Sequence, residues 1–118
     1  MEETKLQVEV SAYDGKPVVS AVGDLDSWTA ETLGDAVRSV LAENPNDMIV
    51  DLSRVSFMDS GALQVLVTAC RAMKENGRVF AIAKGVPARL IHMAGLDRLV
   101  TLKESIDQLY DDEGCGEV

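Results

Sequence analysis

Apolar and polar residues alternate in short runs at the start of the chain. "LQVEVSAY", residues 6–13, and "KPVVSAVGDL", residues 16–25, carry β-branched residues at near two-residue spacing, with Asp14-Gly15 between them. This pattern predicts an antiparallel hairpin turning near Tyr13 to Lys16. The period then changes. Leu33, Ala36, Val37, Val40 and Leu41 recur at helical spacing and share one apolar face. Asp26 or Ser27 is expected to cap that helix, and Asn44-Pro45 to end it, with Gly34 weakening its interior slightly. "MIVDL", Met48 to Leu52, is a nearly continuous apolar run that suits a central strand covered on its faces. "SRVSFMD", residues 53–59, reads as a connecting loop.

From Ser60 a second helix is predicted, because Leu63, Leu66, Val67, Cys70 and Met73 again fall on one face. Glu75-Asn76-Gly77 is its C-terminal signal. "RVFAIA" is another apolar strand, and "GVPARLIHMAGL" a short third helix with Pro87 in its first turn and Gly95 beyond its end. "RLVTL" reads as a last strand. Thr101 with Glu104 three residues on forms a capping-box pattern for a fourth helix that would turn Ile106, Leu109 and Tyr110 inward. The predicted order is β-β-α-β-α-β-α-(β)-α. It implies a layered α/β domain with a mixed four- to five-stranded sheet, about four helices and right-handed crossovers.

Composition adds bounds. A chain of 118 residues fits one domain, expected over 1–118, with an ordered core over about 5–110 and an acidic, Gly-rich tail over 111–118. Lys and Arg number 11 against 20 Asp and Glu, for a net charge of −9. Phosphate backbones and anionic membrane surfaces need a cationic footprint, so neither nucleic acid nor a membrane is an expected direct partner. A protein with a basic face is permitted. The N-terminus is acidic and lacks a signal-peptide pattern, and no apolar run is long enough to span a bilayer. Cys70 lies on an apolar helical stripe and Cys115 in the tail, which makes no disulfide framework. A cytoplasmic domain with free thiols is expected.

Enzyme signatures are missing. The sequence holds no P-loop, no G-x-G-x-x-G and no G-x-S-x-G elbow. The lone histidine, His92, gives neither zinc-ligand spacing nor a sequence-evident partner for a nucleophile. No catalytic residue, metal or cofactor is therefore expected. Ser60 holds attention for another reason. At the start of a helix its hydroxyl is expected to accept from the N–H of Ala62 or Leu63, a cap worth about 0.5–2 kcal/mol against Ala. The same place carries unpaired donors and partial positive charge, so a phosphate there would be tolerated by the fold. It would add about −1.5 to −2 charge beside Asp59 and confront a partner with bulk and repulsion. The physical expectation is a binding switch with little refolding.

The stretch "DLSRVSFMDSGAL" resembles the signature of the STAS family, specifically the bacterial anti-sigma factor antagonists. "GDLDSWTAETL" is similar to that family's G-[ED]-L-D loop, and "ARLIHMAGLDRLVTLKES" to its C-terminal region, so the resemblance runs over about Lys5 to Tyr110. It implies a single STAS-like domain without enzymatic activity. The unphosphorylated antagonist would bind an anti-sigma factor that is also an ATP-dependent serine kinase, freeing the sigma factor. That kinase would phosphorylate Ser60, and a PP2C-like phosphatase would reverse the step. Asp24, Leu25, Asp26, Ser56, Met58, Asp59, Ser60, Gly61 and Leu63 are the partner-binding residues this implies, with Met58 open to being a contact or a core plug and Leu63 to facing the core. The family usually has Ser or Thr, then Gly, after the switch serine; here Gly61 and Ala62 stand there, leaving Ser60 the only hydroxyl after Asp59 within this signature.

Two other readings compete. A STAS module can serve as a non-switching scaffold subunit of a transporter or signalling complex. A receiver-like phosphorelay domain would use Asp51 at the end of an apolar strand. Against the latter, the chain opens with a hairpin, and Asp24 and Asp26 are separated by Leu25.

Overall fold

Asp14 and Gly15 both take positive φ, 53° and 78°. This is the requirement of a two-residue turn whose twist matches the strands it joins, and Gly15 meets it without a Cβ. Strand β1 (Gln7–Tyr13) therefore folds directly back on β2 (Lys16–Leu25), with Tyr13 opposite Lys16. The computed structural model describes residues 6–73 and 77–110. The remaining elements follow in order: α1 (Ala30–Leu41), β3 (Met48–Met58), α2 (Leu63–Met73), β4 (Val79–Ile82), α3 (Val86–Met93) and β5 (Thr101–Lys103). Single 3-10 turns occupy Ser60–Ala62, Leu96–Arg98 and Ile106–Gln108.

The sheet has five strands in sequential order, β1-β2-β3-β4-β5; β1 is antiparallel to β2 and every later pair is parallel. A sequential parallel sheet with right-handed crossovers puts all its helices on one face. That face is the main core. Val19, Val50 and Ala81 of the strands meet Leu33, Val37 and Val40 of α1, Leu66 and Ala69 of α2, and Ile91 of α3. Each fully buried aliphatic side chain of this kind contributes about 1.5–3 kcal/mol. On the opposite face Val18, Ile49, Phe80 and Ile82 are covered by Leu109, with Ile106 and Tyr13 beside them.

Three expectations are corrected. Residues 53–58 are not a loop but the second half of β3, which runs for 11 residues. Two register shifts against β2 explain why: between Ser20 and Val22, and again between Gly23 and Asp24, β3 carries one residue more than its partner. Such bulges break the two-residue alternation by which a strand is recognised. The predicted fourth helix is a single 3-10 turn. Thr101 is committed to the sheet edge opposite Phe80 and cannot cap. Instead the Gln108 side chain accepts from the Glu104 N–H at 3.2 Å. Ile106 and Leu109 do pack inward, but Tyr110 is exposed. Its hydroxyl donates to Asp14 and accepts from Lys16, both at 2.6 Å, tying the segment after β5 to the first hairpin. This contact holds the Lys16 ammonium above its ordinary pKa. As expected, α1 ends with Leu41, ahead of Asn44-Pro45.

The signals expected at Glu75-Asn76 and in the tail 111–118, Cys115 included, lie outside the described residues. Cys70 is free and half-buried, and burial pushes its thiol pKa up. Among the described residues no helix is long and apolar enough to cross a membrane. Asp51 lies within β3, opposite Ser20 on one side and Ile82 on the other, with its carboxylate accepting from the Ser53 N–H at 3.0 Å. A receiver-type acceptor at a strand end is therefore not what this fold presents.

Candidate functional site

Strands β2 and β3 are parallel and finish side by side, Leu25 opposite Met58. The Asp59 N–H then donates to the Leu25 carbonyl at 3.2 Å, so the two outgoing turns leave the sheet from adjacent points. The β2–α1 turn is built by Asp26. Its Oδ1 accepts from the N–H groups of Trp28 (2.9 Å) and Thr29 (3.0 Å). The Thr29 hydroxyl accepts from the Asp26 N–H at 2.9 Å and donates to the Asp24 carbonyl at 2.8 Å. An aspartate satisfying its own turn in this way is well suited to a helix entrance. The hydrogen bond from the Thr29 N–H, more than any other influence, holds the Asp26 carboxyl below the usual aspartate pKa.

The β3–α2 turn is built by Asp59. With extended backbone (φ −110°, ψ 176°), Asp59 is the N-cap of the 3-10 turn Ser60–Ala62, and its Oδ1 accepts from the Ala62 N–H at 3.2 Å. This corrects the expected role of Ser60. The cap is Asp59; Ser60 is the first residue inside the turn. Its side chain is exposed, and its hydroxyl makes no hydrogen bond among the described residues. Neither residue expected to cap α1 does so: its N-cap is Thr29, without a side-chain cap hydrogen bond, and the Asp26 carboxylate serves the turn before it. Ser27 leans on the other turn. A Cβ on Gly61 would lie 2.6 Å from the Ser27 Oγ and 3.3 Å from the Asp59 Oδ1. A side chain at position 61 would therefore require the Ser27 hydroxyl to turn aside.

The structure divides the expected partner-binding residues in two. Asp24, Asp26 and Asp59 are partly exposed, and Ser56, Ser60 and Gly61 are exposed. Asp24 faces Phe57 across the strand pair, and Ser56 is the bulge residue that the register skips. Leu25, Met58 and Leu63 are buried, at 0%, 3% and 7% exposure. They have almost no surface to offer a partner and instead support the two turns from beneath. Two residues at the site were missed in the sequence. Trp28 is 89% exposed and Phe57 50% exposed. The available signal for Trp28 was a large apolar residue outside any periodic stripe, in a turn otherwise made of Asp, Ser and Thr. Phe57 lay hidden in the stretch misread as loop. The acidic groups Asp24, Asp26 and Asp59 border the turns, giving the surface around Ser60 a negative rim.

His92, considered as a catalytic base, sits at the exposed end of α3 with its Nδ1 2.7 Å from Asp97.

Comparison with known proteins bears on the family and the fold. The STAS domain family model matches residues 7–109. The chain is 34% identical over 98 residues to the anti-sigma-F factor antagonist RsfB of Mycobacterium tuberculosis, covering 82% of this chain and 80% of that one. It is 29% identical to the anti-sigma-B factor antagonist of Staphylococcus aureus, covering 86% of this chain and 96% of that one. Among solved structures, an anti-sigma factor antagonist from Mycobacterium paratuberculosis superposes with a TM-score of 0.84 at 31% identity, over 88% of this chain and 90% of that one. SpoIIAA in its unphosphorylated form shares the fold, with a TM-score of 0.66 at 18% identity, over 88% of this chain and 92% of that one.

Proposed function

The chain belongs to the STAS domain family, and on that basis we propose that it is an anti-sigma factor antagonist that switches partners at Ser60. The observation that carries the proposal is the state of Ser60. Its hydroxyl is exposed and uncommitted at the start of a helical turn whose capping is already done by Asp59. A phosphate can be placed there without breaking any hydrogen bond of the fold. It brings about −1.5 to −2 charge next to Asp59, on a surface already acidic.

In this reading the unphosphorylated face binds an anti-sigma factor, which then releases its sigma factor. The anti-sigma factor doubles as the ATP-dependent serine kinase that modifies Ser60, and a PP2C-like phosphatase restores the binding form. The antagonist itself contributes no catalytic group. Asp24, Asp26, Ser56, Asp59, Ser60 and Gly61 form the contact surface, and Leu25, Met58 and Leu63 hold it in place. The names of the relatives support the partner class, since they are antagonists of anti-sigma-F and anti-sigma-B factors.

The test is a phosphorylation assay. Purified chain is incubated with an anti-sigma kinase of the same genome and Mg-ATP, and the product is mapped by mass spectrometry. One acid-stable phosphate on Ser60, absent in Ser60→Ala, is the expected result. Phosphate elsewhere, or none from a kinase that is active on its own antagonist, would overturn the assignment.

A further inference from the structure

The most exposed large apolar side chain among the described residues is Trp28, at 89%. It is also the chain's one tryptophan. An indole left in water forgoes the burial that usually makes tryptophan worth keeping, and isolated exposure would need no comment on a mobile tip. Trp28 is not on such a tip. Its backbone N–H is held by the Asp26 carboxylate at 2.9 Å, and the next residue is anchored on both sides by the Thr29 hydroxyl. The residue before it, Ser27, packs onto Gly61, the residue after Ser60. Trp28 and Ser60 are therefore each one residue removed from a direct contact between their turns, and one protein-sized footprint covers both.

We propose that Trp28 is the aromatic anchor of the surface centred on Ser60, and that the Ser27–Gly61 approach keeps its turn beside that of Ser60. The inference rests on the partner-switching reading and adds to it the residue expected to carry most of the affinity. The occupant is the folded anti-sigma partner, through an apolar pocket that takes the indole and a basic rim. The rim follows from charge: Asp24, Asp26, Asp59 and Glu31 border the two turns, on a chain of net charge −9. Tryptophan is among the residues most enriched at energetic centres of interfaces, and with its backbone already held by the Asp26 turn only the two side-chain torsions of the indole remain to be ordered on binding. Phosphate on Ser60 then acts beside this anchor, bringing bulk and charge into the footprint that the indole needs closed.

The experiment uses a kinase that has passed the Ser60 assay above, so that failure there overturns the switch and failure here overturns only the anchor. The chain is labelled with 5-fluorotryptophan, giving one fluorine resonance from Trp28, and is titrated with the kinase without nucleotide. Trp28→Ala and Trp28→Phe are titrated in parallel by calorimetry. The expected results are a shifted and broadened resonance on binding, a loss of affinity of about thirtyfold or more for Trp28→Ala, and partial retention for Trp28→Phe. Both variants should melt with the parent chain, because the ring is exposed. A resonance that stays at its free position in the saturated complex overturns the anchor, and does so without any variant that could misfold. Equal affinity of Trp28→Ala and the parent overturns it as well.

Discussion

At the scale of single residues, the division of labour between Asp59 and Ser60 is the main finding. A serine preceding an apolar helical run reads as a cap, and the sequence offers no way to see that the aspartate before it takes that place. Backbone conformation decides: Asp59 is extended, with its carboxylate turned onto the Ala62 N–H, while Ser60 is already in the turn. The consequence is measurable. Ser60→Ala should leave stability within about 0.5 kcal/mol, since no bond of the fold is lost. Asp59→Ala should cost about 1 kcal/mol, the usual value of a lost side-chain cap. Urea denaturation of the two variants separates these; a larger loss for Ser60→Ala than for Asp59→Ala would reverse the assignment. The same separation explains how a site of modification can be strictly local. On the proposed reading, the residue that holds the turn is not the residue that would change charge.

At the scale of elements, the two turns at the ends of β2 and β3 behave as one unit, because the Asp59 N–H and Gly61 both lean on the neighbouring turn. The β2–α1 turn depends on the Asp26 carboxylate, whose pKa lies below its ordinary 3.8. A lowered folded pKa means the carboxylate's contribution is present above 3.8 and disappears as pH falls below that value through the folded one. Asp26→Asn keeps an acceptor oxygen for the Trp28 and Thr29 N–H groups but removes the charge. Its stability should therefore fall less steeply than the parent's over the acid range below 3.8, measured by thermal melts across pH. Identical slopes would show that the charge plays no part in holding the turn.

The hairpin, the first three helices and the apolar cores of β3 and β4 were legible because each keeps one period long enough to register. The end of β3 was not, because two bulges put extra residues between Leu52, Val55 and Met58, and an alternation that slips twice looks like a loop. The last helix was overread for the opposite reason: Thr101 and Glu104 carry a local capping pattern, but tertiary pairing claimed Thr101 for the sheet. Similarly, Leu25, Met58 and Leu63 belong to the recognisable motif, yet their burial assigns them to its foundation. Motif membership marks a neighbourhood; exposure decides which of its members can touch a partner.

At the scale of the molecule, the proposed switch changes surface charge and little else. Ser60 sits outside the core, and the sheet, the helices and the tie between Tyr110 and the first hairpin make no use of its hydroxyl. Phosphorylation should thus leave the melting temperature nearly unchanged. Because the phosphate adds to a net charge of −9, its effect on a partner is electrostatic as well as steric. The most direct measurement is the affinity of the anti-sigma kinase, without nucleotide, for the unmodified chain and for the same chain carrying phosphate on Ser60. The account predicts tight binding of the unmodified form and a loss of at least about a hundredfold on phosphorylation, equivalent to about 2.7 kcal/mol, with unchanged far-ultraviolet circular dichroism. Equal affinities for the two forms, with the phosphate verified on Ser60, would contradict it.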